Sequence, residues 1–365
     1  MTDLTPPPTP PRPSQSAKNT APAPAEAPVT LEWLGWVAEQ HLRGCTPESM
    51  LASMTAAGLE RETSASVIEL VPGNPIYVAA ERQAHQLRKL ESTVANLQRL
   101  WELEPTYAAV DKRSVVSDAE FVYRYVLGCR PLVLTGHARD WPAMQRWSPA
   151  DLKTRFGGFD VEIQAERQVN PRYEEDKGLH RRTVRLGDFV DQVLAGGATN
   201  DYYLTANNEA LRRPEFAPLL DDIGSLPPYC NRAELAERSS FWFGPAGTVT
   251  PLHHDTLMLF HTQVVGRKRW RLISPLQGPR LYNTNGVFSP IDLDAVDLAQ
   301  FPLFEGVNVL EVVVEPGETM FLPLGWWHQV RSLDVSLSFS YSNLALPIAN
   351  QFTYFDPRPR TIPAG

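Results

Sequence analysis

Cysteine is scarce in this chain. Cys45, Cys129 and Cys230 are the only three among 365 residues, an odd number with no C-x-x-C spacing. That argues against a disulfide framework and for a reducing, cytoplasmic setting. Long apolar runs are also missing. No stretch of 18 apolar residues occurs, so no membrane span and no membrane partner are expected. The start, Met1-Thr2-Asp3-Leu4-Thr5, has neither the basic segment nor the apolar core of a secretory leader. Basic residues are in the minority, 34 Lys and Arg against 42 Asp and Glu, which gives a formal net charge of −8. A broad nucleic-acid footprint needs clustered positive charge, so nucleic acid is not an expected partner. The helical H-E-x-x-H signature of zinc proteases is absent as well.

What is present divides the chain into four parts. Residues 1–28 hold nine prolines among Thr, Ser and Ala, a composition that cannot bury a core and reads as a disordered tail. Residues 29–110 read as a small helical region. Trp33, Leu34, Val37, His41 and Leu42 recur at helical spacing up to Gly44, and Thr46-Pro47 supplies a cap and a first-turn proline for a second helix ending near Gly58. Over 78–101, Ala84, Leu87, Leu90, Val94, Leu97 and Trp101 form a stripe. The stripe suits packing on the chain's own catalytic domain or, as the alternative, a homodimer seam. Residues 111–345 read as the catalytic domain, with helices capped by Ser117 and Ser148 and mostly short strands from about 239. Residues 346–365 form a C-terminal tail.

The chemistry is concentrated in His253-His254-Asp255 and in His328, 73 residues after the aspartate. The segment Gly247–Phe260 is rich in β-branched, aromatic and aliphatic residues and reads as a strand, which turns His253 and Asp255 to one face and His254 to the other. His328 follows a short strand, Thr319–Pro323, and meets them in space. Two imidazoles and a carboxylate suit Fe(II), binding three adjacent corners and leaving three open. Zinc is the competing metal, and a zinc hydrolase the competing enzyme. His254 and His261 read as structural histidines.

Val264-Val265-Gly266-Arg267 reads as a hairpin turn leading to a strand in which Lys268, Trp270 and Leu272 share one face. A lysine among large apolar residues is expensive to bury without an anionic partner, and a ligand carboxylate would be one; an edge or surface lysine of the basic turn Gly266-Arg267-Lys268-Arg269 is the alternative. Thr250 stands three residues before His253 and offers a hydroxyl.

The run Phe241-Trp242-Phe243-Gly244-Pro245 through Thr250-Pro251-Leu252-His253-His254-Asp255 resembles the core motif of the jumonji-C hydroxylases. Matching stretches include Pro131–Gly136, Asp140-Trp141-Pro142, Tyr203-Leu204, Val264–Lys268 and Pro316–Pro323 through His328, which together cover roughly residues 115–343. The resemblance is strongest to the arginyl-hydroxylase-type small jumonji proteins, with the factor-inhibiting asparaginyl hydroxylase further off. It implies a mainly β fold, the double-stranded β-helix (jelly-roll) of cupins, with flanking helices. It also implies Fe(II) on His253, Asp255 and His328, 2-oxoglutarate and O2 as co-substrates, and the far carboxylate of 2-oxoglutarate held by Lys268, Thr250 and Tyr203. The expected reaction releases succinate and CO2 and hydroxylates an amino-acid side chain of a protein, a peptide or a small molecule.

In those relatives an acidic strand residue and an aromatic hold a substrate arginine, and Glu162 and Trp242 stand at the matching places. A carboxylate grips a guanidinium in a bidentate fork, and an aromatic face stacks on it. The polar segment 168–178 differs from them and reads as a loop over the mouth. One other position departs: six residues after the first ligand those relatives often carry Asn, and this chain carries Leu259. A metal-containing cupin without turnover is the alternative function that Leu259 raises. The small barrel, with no chromatin-reading module, argues against histone demethylation.

Overall fold

The computed structural model describes residues 29–346, except 207, 228 and 285, together with 350. The proline-rich tail at 1–28 and nearly all of the C-terminal tail lie outside the described residues. The chain divides into two compact units. One holds the helices up to Leu97 with residues 296–306, and the other holds Gln98–Ala295 and the chain from Val307 onward. The boundary expected at 110 therefore falls inside the second unit.

The first unit contains α1 (Leu31–Leu42), α2 (Pro47–Ala56), α3 (Arg61–Leu70) and the start of α4 (Pro75–Glu102). Thr30 and Thr46 cap the first two helices as expected, each hydroxyl accepting the amide three residues on. Helix α3 was not anticipated. Glu60 starts it, in place of the usual Ser, Thr, Asp or Asn, by accepting from the Glu62 and Thr63 amides at 2.9 and 2.6 Å. Trp33, Trp36, Val37, Met50, Met54 and Ile68 build a small core of their own. Along α4 the predicted stripe is half-buried at Ala84 and Val94 but exposed at Leu87, Leu90 and Leu97.

The second unit carries twelve strands: β1 (Asp111–Arg113), β2 (Leu132–Leu134), β3 (Asp160–Gln164), β4 (Arg181–Arg185), β5 (Ser239–Gly244), β6 (Val249–His253), β7 (Leu259–Val265), β8 (Lys268–Ile273), β9 (Leu310–Val314), β10 (Thr319–Leu322), β11 (Trp327–Ser332) and β12 (Ser336–Tyr341). A six-stranded sheet runs β1-β2-β10-β7-β12-β5 and a four-stranded sheet β6-β11-β8-β9, while β3 and β4 form a separate ribbon. Apart from the parallel β1–β2 pair these ladders are antiparallel, and together they make the expected mainly β jelly-roll.

Sequence pattern explains which strands lie deepest. Every residue of β10 and β12 is buried, so both faces of those strands are covered. β8 alternates instead, with Lys268, Trp270 and Leu272 buried and Arg269 and Arg271 turned outward. There both arginines, with Arg331 of β11, converge on Asp294. The main core stacks Phe121 on Tyr229 at 4.1 Å and sets it edge-on to Phe321 at 4.8 Å. Each such ring contributes roughly 1.5–3 kcal/mol by burial. Two helices flank the barrel, α5 (Pro149–Phe156), capped by the Ser148 hydroxyl, and α6 (Leu186–Ala195).

Three local expectations are corrected. Strand β6 stops at His253, so Asp255 reaches the site from the following loop and not from the strand face. His328 lies within its own strand, β11, and not at the end of β10. Residues 201–205 form no strand: only Tyr203 and Leu204 pair, as isolated bridges to Gln164 and Phe243.

Candidate active site

β6 and β11 run side by side with His253 opposite His328. The two ring centroids are 4.0 Å apart, and the His328 Nε2 lies 3.7 Å from an Asp255 carboxylate oxygen. One ligand atom from each of His253, Asp255 and His328 falls within 4.8 Å of the others. The backbone fixes both tautomers. His253 Nδ1 stands 2.7 Å from the Pro251 carbonyl and His328 Nδ1 3.0 Å from the Trp326 carbonyl. A carbonyl only accepts, so each ring carries its proton on Nδ1 and presents the Nε2 lone pair inward. Phe288 stacks on His253 at 5.4 Å and Trp270 on His328 at 5.7 Å, which holds the ring planes.

The electrostatics suit a cation. Burial raises the Asp255 carboxyl, against the pull of His253 and His254, and burial with the His253 charge keeps His328 well below its usual range. A divalent metal would reverse the penalty on the carboxylate and use the neutral imidazoles directly. Two Nε2 donors and one carboxylate are the donor set of a mononuclear Fe(II) site with open positions, so these residues fit that metal. His254 turns away as expected. It is fully buried, edge-on to Trp327 at 4.6 Å.

A cavity of about 560 Å³ opens from the triad, lined on its inner wall by Tyr203, Trp242, Thr250, His261, Lys268 and Trp270. The structure thus brings together every residue expected to hold the co-substrate. Lys268 is buried, donates to the Tyr203 hydroxyl at 2.9 Å, and is pushed down to about 7 by that burial. Burial raises the Tyr203 hydroxyl, so it stays protonated. Close packing at Gly244 makes room for Tyr203, since a Cβ there would stand 2.5 Å from the tyrosine ring. Leu259 also lines the cavity, and it brings no polar group.

The two residues expected to hold substrate separate. Glu162 is not among the residues lining the cavity, and it pairs with Arg181 of the neighbouring strand at 3.3 Å. Trp242 does line it, but deep inside. Its ring lies 5.5 Å from the Lys268 ammonium and its Nε1 donates to the Ser340 hydroxyl.

Four residues were missed. His261 lines the cavity with its Nε2 3.5 Å from Lys268 Nζ. Strand alternation turns it to the same face as Leu259, which was the signal available. Glu174 and Lys177 line the cavity from the segment expected to cover its mouth. Arg167, fully buried, braces that wall: it lies 4.2 Å from the Tyr173 ring and 5.4 Å from the Tyr203 ring, and donates to the Val249 carbonyl at 2.7 Å and to Glu174 at 3.3 Å. Nothing in the local sequence distinguishes it from a surface arginine.

Residues 118–346 match the family model described as "Cupin-like domain". The chain belongs to the cupin-like domain family. Within that family its relatives are jumonji-C proteins. It is 31% identical over 240 residues to lysine-specific demethylase 8 of Xenopus tropicalis, covering 64% of this chain and 52% of that protein. It is 32% identical over 287 residues to lysine-specific demethylase JMJ30 of Arabidopsis thaliana, covering 74% and 62%. It is 26% identical over 256 residues to the human bifunctional peptidase and (3S)-lysyl hydroxylase JMJD7, covering 60% and 80%. The match spans 52% and 62% of the lengths of the two demethylases. This cupin-like chain is thus a member of the jumonji-C oxygenases, whose chemistry depends on iron and 2-oxoglutarate. The relatives' names divide between demethylation and hydroxylation. Among the described residues no helix is long and apolar enough to cross a membrane.

Proposed function

We propose that this cupin-like chain is an Fe(II)- and 2-oxoglutarate-dependent dioxygenase that hydroxylates an amino-acid side chain, with arginine the first to test. The observation that carries this reading is the pairing of the His253–Asp255–His328 triad with the buried Lys268 in one cavity. A hydrolase has no use for a distant cationic anchor, and neither has a barrel that holds only a metal. The three ligands would hold Fe(II). Lys268, with the Tyr203 and Thr250 hydroxyls, would bind the far carboxylate of 2-oxoglutarate and so orient its keto-acid end toward the metal. Iron with 2-oxoglutarate and O2 supplies the oxidising power, yielding succinate and CO2 as one oxygen atom enters a substrate C–H bond. The protein's own part is to fix the tautomers of both histidines, wall the cavity with Trp242 and Trp270, and hold the ammonium ready for an anion.

The substrate would enter past Glu174 and Lys177. Glu174 takes over the part expected of Glu162, because it is the carboxylate whose side chain reaches the cavity from the covering segment. It is held there by Gln164 at 3.1 Å and by Arg167. A cationic side chain suits it, in a protein, a peptide or a free amino acid. Demethylation is the second reading, favoured by the names of two relatives, and it differs only in that the attacked C–H belongs to an N-methyl group.

The test is succinate formation from 2-oxoglutarate with arginine-, lysine- and methyl-lysine-containing peptides, with mass analysis of the product. A gain of one oxygen supports hydroxylation, and released formaldehyde supports the second reading. His253→Ala and Asp255→Ala are expected to bring turnover to the detection limit. Succinate at the wild-type rate from either variant would overturn the site assignment.

A further inference from the structure

Lys268 has one close partner, the Tyr203 hydroxyl, and one loose one, His261. His261 sits in β7, between Ser340 of β12 and Met320 of β10. It is buried, its ring is edge-on to Trp270 at 5.1 Å and tilted against Trp242 at 5.9 Å, and its Nε2 approaches the Lys268 ammonium at 3.5 Å. Burial first, then the Lys268 charge, keeps the imidazole neutral, so it holds one N–H to give. Two nitrogens at that separation can reach one oxygen lying about 2.9 Å from each. With the His261 proton on Nδ1 the imidazole accepts loosely from Lys268; with it on Nε2 both nitrogens are donors, and an acceptor lying between them satisfies both. The wall around them offers indole and phenol rings, the Leu259 side chain and the Thr250 and Ser340 hydroxyls, and among the described residues no cationic group besides Lys268 stands beside His261.

We infer that His261 is a further co-substrate-binding residue: its Nε2–H donates to the same far carboxylate that Lys268 neutralises. This rests on the 2-oxoglutarate reading and extends it. It also gives a reason for Leu259. Residues 259 and 261 face the same side of β7, and both line the cavity. The polar contact that the resemblance places at 259 is supplied here two residues further along the strand, 3.5 Å from the lysine. An imidazole at 261 and an amide at 259 would thus be alternative ways to complete one cradle.

The closing experiment separates the two ideas. Binding of 2-oxoglutarate and of 2-oxopentanoate, which has the keto acid but no far carboxylate, is measured by calorimetry on the Mn(II)-loaded protein without O2. If the wild type binds neither, the 2-oxoglutarate reading itself fails. If it binds 2-oxoglutarate, His261→Leu is expected to weaken that affinity at least tenfold and to leave 2-oxopentanoate within twofold. His261→Gln, which keeps an N–H donor, should recover most of the loss. Equal weakening of both ligands, or 2-oxoglutarate binding within twofold of wild type, would overturn the inference. Nitrogen NMR of the Zn(II)-loaded wild type, labelled at histidine, gives a readout that needs no variant. With 2-oxoglutarate bound the His261 proton should sit on Nε2, and a proton that stays on Nδ1 would also overturn it.

Discussion

Lys268 shows how far one residue's environment can be read. Its place beside Trp270 and Leu272 follows from strand alternation, but the basic turn Gly266-Arg267-Lys268-Arg269 allowed a surface lysine equally well, so its burial was only half legible. Its partners were less so: Tyr203, 65 residues away, was placed beside it only through the resemblance, and His261 was read as structural. Burial brings the ammonium down to about 7, against about 10.4 in an unfolded chain. Between those values the unfolded state holds the extra proton, so this lysine makes folding stability rise with pH across that window. Binding of the far carboxylate runs the other way, because it needs the ammonium. Affinity for 2-oxoglutarate should be greatest near or below pH 7 and fall by up to about tenfold per unit above it. Calorimetry at pH 6.5, 7.5 and 8.5 checks this, and a flat profile would show that Lys268 stays charged throughout. Lys268→Met should abolish the slope and cost about 2 kcal/mol of binding, near thirtyfold. At the same scale, Glu162 shows why substrate contacts were less legible than metal ligands. The ligand set is defined by side-chain chemistry that few residues can supply, whereas any strand carboxylate with an arginine across the ribbon can end in an ion pair instead.

Among elements, the turn from β7 to β8 controls the cavity most directly; it carries the chain from one sheet to the other, so the hairpin expected there is not formed. Gly266 in that turn has φ +71°, and a Cβ there would stand 2.2 Å from the Val335 carbonyl oxygen. Arg267 ties the same turn to Asp334 through its backbone amide at 3.1 Å and its side chain at 2.8 Å. Gly266→Ala therefore carries the left-handed backbone cost and a clash with main chain, together about 3 kcal/mol. The variant should unfold at clearly lower denaturant and bind 2-oxoglutarate more weakly, since Lys268 lies two residues on. Unchanged values for both would refute the turn's role. The turn was legible because Gly266 ends an apolar run as a local signal, whereas the pairing was not: β7 pairs with β10 and β12, and β8 with β9 and β11. The contribution of β11 was not. A bulge shifts its register against β6 between His328 and Val330, so the strand that carries the third ligand is set by long-range pairing rather than by its own residues. Helix positions show the same division: Ser148 capped α5 as its sequence announced, while α3 had no comparable pattern.

For the whole molecule, the decisive property is that the site draws on many elements at once. The triad joins β6, its following loop and β11; β8, beside β11 in the same sheet, β7 of the other sheet and the Tyr203 bridge supply the rest of the wall. Anything that binds this arrangement binds the folded barrel and not the unfolded chain. Metal and co-substrate should therefore raise the barrel's melting temperature by mass action, with about 2.7 kcal/mol at a hundredfold excess over the dissociation constant. For a unit of this size that is roughly 5–10 °C. The geometry also fixes an order, because 2-oxoglutarate without a metal keeps only its Lys268 end. Mn(II) with 2-oxoglutarate should thus shift melting by more than the two added separately. His253→Ala should abolish that excess while leaving the small effect of 2-oxoglutarate alone. A scan of the four combinations measures it directly. Strictly additive shifts would mean that the metal and the anion occupy unconnected sites, and the single-cavity account of this barrel would have to be given up.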